Sequence, residues 1–158
     1  MLIVSLALFL TWYVMDPVIT EAWVKGIAPL TREEVSFGVA LPEILAPFRA
    51  FMAARVDPTT FESLASLRPG NIPPVGKEAP LSVLVPAFML SEIKLAFQIG
   101  FLVFLPFLVI DLVVAAVLMS MGMMMVPPAV VALPFKLAFF VVADGWSLVA
   151  SALVRSYL

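Results

Sequence analysis

Cysteine and histidine are both missing from this chain of 158 residues. Without cysteine there is no disulfide and no thiol chemistry, and the redox compartment leaves no mark on the sequence. Without either residue, zinc binding and histidine acid–base catalysis lose their usual groups. Charge is scarce as well. Asp, Glu, Lys and Arg make up 13% of the chain and sum to −2, whereas a soluble domain carries about a quarter. With no basic excess, there is no electrostatic basis for binding nucleic acid. No glycine-rich phosphate loop, metal-ligand spacing or internal repeat is visible. No nucleophile–base pair stands out either. The chain is therefore expected to have no catalytic residue, no metal and no cofactor, and not to be an enzyme.

What is present is apolar: 63% of the residues. That composition belongs to a membrane protein or to the interior of a large assembly. The length suits one domain with a polar insert. The expected class is all-α: membrane-associated helical hairpins with an insert of short helices.

Residues 1–16 form the first apolar segment. It lacks a basic start and a small-residue cleavage site before Asp16, so it does not read as a signal peptide. About 15 residues is short for a core ~30 Å thick, and the segment reads as a clipped membrane helix. Trp12 and Tyr13 suit an interfacial belt or plain packing, and Asp16-Pro17 is expected to close the helix.

Residues 17–80 read as a polar insert outside the membrane. Between Asp16 and Glu78 lie six of the nine basic and eight of the eleven acidic residues, mostly a solvated face. Short helices are expected from Pro42 to about Val56, and from an Asp57 N-cap and Pro58 to about Leu67.

Residues 81–158 turn apolar again. One long helix is expected, with Pro86 near its first turn and with Gly100 and Pro106 as kinks and not ends. It reaches Met119, Met121, Met123, Met124 and Met125, then Pro127-Pro128, which no straight helix can cross. A second helix returns from Ala129 to about Tyr157. The product is a kinked helical hairpin with methionines at its tip. A methionine stripe is ordinarily gap-filling core, but a turn offers little core to fill. Thioether tips from several copies could form a deformable apolar seal around a polypeptide, and an apolar constriction blocks ions.

Glu92, Lys94, Asp111, Lys136 and Asp144 stand in or beside these runs. A lone charge in hydrocarbon costs at least ~2.5–3.5 kcal/mol, so each needs a partner, water or an interface. Glu92 and Lys94 are too close in sequence to share a helix face. With the turn near Val126, Asp111 lies roughly 22 Å below the tip and Lys136 roughly 15 Å, near enough to bridge. Glu92 lies roughly 51 Å down, out of reach of Lys136 in a straight hairpin. These charges either fix packing or line a pathway. An ion-coupled small-solute transporter, with Asp111, Lys136 and Asp144 as a titrating relay, is the alternative function. Three apolar segments without a repeat are few for one.

Three stretches carry a family resemblance: LALFLTWYVMDPV, LVPAFMLSEIKLAFQIGFLVFLPFLVIDLVVAAVLMSMGMMMVPP and LPFKLAFFVVADGWSLVASALVRS. Together they resemble the flagellar type III export-gate protein P (FliP) family, including its virulence-secretion homologues. The insert is similar only around PFRAFMAAR. The resemblance implies a pore-forming structural subunit in the bacterial inner membrane, at the flagellar basal body. Copies of it would assemble with Q and R subunits and membrane lipid into a helical ring or cone that passes unfolded secreted substrates. It implies a pore gasket at Met123, Met124 and Met125, and an inter-subunit ion pair between Glu92 and Lys136. The family's acidic residue in the long helix falls on Asp111, and Asp144 is expected as a second buried charge. Family members begin with a signal peptide and a further hydrophobic segment, so the resemblance also implies an N-terminally truncated chain.

Overall fold

The computed structural model describes residues 1–70, 72–76 and 78–157. Every regular element among them is a helix. The chain divides into two compact units, Met1–Leu95 and Ala96–Leu158.

In the first unit, α1 spans Leu2–Ala22 and runs on through a π-helical turn, Trp23–Ile27, into α2, Ala28–Thr31. Pro17 lies inside α1 and does not end it, which differs from the expected stop at Asp16-Pro17. Proline removes one donor and crowds the carbonyl one turn back. A long apolar helix absorbs that defect, because the hydrogen bonds on either side remain its best option. After a turn comes α3, Phe37–Arg55, which contains Pro42 and Pro47. It starts five residues earlier than the Pro42 start expected from the sequence. Ser36, in extended conformation, is its N-cap residue.

The π turn packs on α3 through Gly26. A Cβ at Gly26 would stand 2.9 Å from the backbone nitrogen of Ile44, so only glycine allows this approach. Next, α4 spans Pro58–Ser66 with Asp57 as N-cap residue and proline in its first turn, close to expectation. The long α5 spans Leu81–Ser120 and passes Pro86, Gly100 and Pro106 without a break.

The end of α3, α4 and the start of α5 enclose a small core. Val56, Phe61, Ala79, Val83, Leu84 and Ala87 are buried, with Met52, Leu64, Ile72 and Val75 packed around them. Phe61 is 1% exposed; burying such a side chain contributes about 1.5–3 kcal/mol. Phe51 meets Phe88 edge-on beside this core, with ring centroids 5.9 Å apart.

The second unit holds the rest of α5, then α6, Pro128–Val142, and α7, Gly145–Arg155. The return arm is thus two helices, bent by 58° at the break, not the single helix expected. Asp144 sits there in the left-handed region, φ 47° and ψ 51°. At Gly145 a Cβ would come within 2.7 Å of the Phe140 ring. The Asp-Gly pair was the sequence sign of this break. Phe140 also lies edge-on to Trp146 at 5.3 Å and near Phe107 at 6.1 Å, so aromatic packing surrounds the bend.

Among the described residues, three stretches are long and apolar enough to cross a membrane: Leu2–Thr31, Phe37–Arg55 and Leu81–Ser120. The bent pair of α6 and α7 would make a fourth. Their faces are largely bare. Large apolar side chains from Leu2 to Leu148 stand exposed, among them Phe9, Trp12, Phe97, Phe101, Leu102 and Val142.

Candidate functional site

The tip of the second unit begins where α5 ends. Gly122 adopts φ +74°, a conformation glycine enters without steric cost. Its amide donates to the Met119 carbonyl at 3.1 Å, and the Met123 amide donates to the Leu118 carbonyl at 2.9 Å. Two carbonyls that a helix end leaves open are thereby satisfied. A second turn follows, with the Val126 amide donating to the Met123 carbonyl at 3.3 Å. Pro127 is extended and serves as N-cap residue of α6, with Pro128 at its first position. Proline fits there because that amide would have had no helical acceptor.

This backbone presents sulfur to the outside. Met119, Met121, Met123, Met124 and Met125 are all exposed, Met124 to 84% and Met125 to 97%. Met123 is the most sheltered of them at 40%. Below the tip, Val113, Val117, Met121, Val131 and Phe135 are among the residues lining an open apolar groove of 530 Å³.

Deeper in the same unit, Lys136 on α6 donates to Oδ2 of Asp111 on α5 at 2.7 Å. The rise of a helical hairpin had placed these two at bridging distance. Both side chains are about a quarter to a third exposed. Oδ1 of Asp111 is buried and has no hydrogen-bond partner. An unsatisfied buried acceptor is costly, so this carboxylate is only half provided for. Asp144 is exposed at the helix break.

Glu92 lies in the first unit, where Arg55 Nε donates to its Oε1 at 2.9 Å. Two residues on along each segment, Lys94 meets Asp57 at 3.3 Å. Between them the Asp57 amide donates to Ser91 Oγ at 2.9 Å, and Ser91 Oγ donates to the Ala87 carbonyl at 2.8 Å. The extended backbone at Val56 and Asp57 aligns the α3–α4 junction along α5. Sequence reading placed Glu92 and Lys94 on different faces and did not name these partners. Each pair is separated by 37 residues, a distance at which no local pattern speaks. The Thr60 and Thr59 hydroxyls, followed by Lys94, hold the Asp57 carboxyl down to about 2.

Glu92 and Lys136 thus each have a partner inside their own unit. Among the described residues, no group of His, Cys, Asp and Glu could hold a metal ion.

Comparison with known proteins places these features in context. A sequence profile of the FliP family matches residues 1–153. The chain is 49% identical over 161 residues to the flagellar biosynthetic protein FliP of Rhizobium meliloti (strain 1021), covering 100% of this chain and 65% of that protein. It is 51% identical to the protein of the same name from Caulobacter vibrioides, covering 98% of this chain and 58% of the relative. With the Bacillus subtilis protein of that name the identity is 42%, over 98% of this chain and 70% of the relative. The chain spans about three fifths of the length of the first two.

Proposed function

The chain belongs to the FliP family, and from that premise we propose that it is a pore-forming structural subunit of the flagellar type III protein export gate. It works without catalysis, and its tip methionines seal a channel for unfolded secreted polypeptides. Its partners are further copies of itself, the Q and R subunits of the gate, the exported chains and membrane lipid. Its place is the bacterial inner membrane at the flagellar basal body. Residues 17–80 act as the insert outside the membrane, with Phe37–Arg55 held there although its length and apolarity would let it cross one, and residues 81–158 as the pore hairpin.

One observation carries this reading. A capped turn, stabilised by its own backbone hydrogen bonds, holds Met123, Met124 and Met125 in the open. Methionine in a monomer normally fills core. Here the side chains have no core, and the helices below them are bare. Convergence of several tips on one axis would cover the sulfurs and leave a constriction that excludes ions. Unbranched thioethers can still move aside for a passing chain.

Glu92 of one copy and Lys136 of the next form the inter-subunit ion pair. To do so they must leave or share Arg55 and Asp111, their partners within the chain. Asp111 and Asp144 become buried charges in the assembly. The unsatisfied Oδ1 of Asp111 supports this, since a neighbouring copy can supply the missing donor.

The test replaces Met123 and Met124 together by alanine in the assembled gate. Ion conductance should rise while export of substrate continues. A correctly assembled double variant that conducts no more than the parent would remove the seal.

A further inference from the structure

Five of the nine methionines fall within Met119–Met125; the other four, Met1, Met15, Met52 and Met89, are isolated in sequence. We propose that the Met119–Met125 turn is also a binding site for a soft monovalent cation, Cu(I) or Ag(I), held by thioether sulfurs alone. The expectation of no metal came from the absence of His, Cys and carboxylate ligand sets. Thioethers are a different donor class.

The first reason is donor chemistry. Thioether sulfur is neutral and polarisable, and it selects soft ions such as Cu(I) over zinc or magnesium. The chain has no cysteine and no histidine, so nothing within it competes for such an ion. The second is access: all five side chains are exposed, so the donors need no rearrangement of a core to reach an ion.

The third reason is the frame. Gly122 and the Met123–Val126 turn fix the backbone through three hydrogen bonds. Each methionine has three rotatable side-chain bonds, so sulfurs from neighbouring positions can gather on one ion while the backbone stays still. The fourth is charge. Residues 119–128 carry no ionisable side chain, and the site lies at the C-terminal end of α5. That end of a helix favours a cation, yet nothing there offsets the stronger hydration of a dication. A monovalent ion is the match. The site requires only one chain and so does not depend on the gate reading above.

The experiment uses the full chain in detergent micelles, with its methionine methyl groups labelled for NMR. Silver nitrate is added in chloride-free buffer. Saturable shifts should appear at the tip methyls while those of Met15, Met52 and Met89 stay in place. A variant with leucine at 119, 121, 123, 124 and 125 keeps apolar volume and should keep its helical circular dichroism. Its silver affinity should fall at least about 30-fold, since leucine offers no donor. Three results would overturn the site: no saturation by millimolar silver, equal shifts at all methionines, or unchanged affinity in the leucine variant. Zinc sulfate producing the same tip shifts would overturn its softness.

Discussion

The neighbourhood of Phe61 and the helices after Ala96 are both apolar, yet they use that character differently. Around Phe61, the end of α3, α4 and the start of α5 turn side chains toward one another. Small residues, Ala79 and Ala87, sit fully buried beside Val83 and Leu84. After Ala96, only Leu118 and Ala132 are buried among the described hydrophobic residues, while Phe97, Phe101, Leu102, Val141 and Val142 face outward. The first region is its own solvent. The second leaves its apolar faces uncovered within the chain. A run of apolar residues therefore states a demand for burial without saying who meets it.

Truncating Phe61 should separate the two regions by the largest margin. Phe61→Ala should cost about 3–5 kcal/mol in denaturant unfolding of the detergent-solubilised chain. Phe97→Ala, at a bare position, should stay within about 0.5 kcal/mol. Equal effects would mean that the two regions are packed alike. The second unit does contain one strong internal contact. Lys136→Ala leaves Asp111 without its donor and should cost about 2 kcal/mol in the same assay. Replacing both residues by leucine should restore most of that loss.

Smaller effects separate the polar contacts of the first unit. Ser91→Ala removes the acceptor of the Asp57 amide and should cost about 1 kcal/mol. Slower amide exchange at Asp57 in the parent than in the variant would confirm the assignment. The weakest effect is on pH dependence. The Asp57 carboxyl titrates at about 2 in the folded chain, against an ordinary value of 3.8. Its contribution is complete above about pH 4, declines as pH falls toward 2, and is gone below that. Asp57→Asn should flatten the stability profile across this window and leave it unchanged near neutrality.

Much of the second unit was legible because its signals are local. Gly100 and Pro106 read correctly as interruptions that α5 survives, and Pro127-Pro128 as a stop. The meeting of Asp111 and Lys136 followed from helical rise on two arms. The Ala143–Asp144 break was missed because a long apolar run outweighed the Asp-Gly pair within it. Pro17 was given too much weight for the opposite reason, since a proline is a strong local sign that an extended apolar helix can override. The exposure of Met123, Met124 and Met125 was implied by their place on a turn. The charge partners at Arg55 and Asp57 were not legible, because they depend on where the α3–α4 junction comes to rest along α5.

The π-helical turn at Trp23–Ile27 carries an implication for how this molecule tolerates change in length. Such a turn holds one residue more than an ordinary helical turn of the same height. Deleting one residue there would leave plain α-helix of nearly the same height and net turn, so the residues before it would keep close to their present facing. The same deletion within Leu2–Ala22, an ordinary α-helix without that slack, would turn every residue before it by about 100° and point the outward stripe at a new neighbour. The extra residue thus acts as slack in chain length, a place where the first helix can lose a residue and still offer the same side to its surroundings.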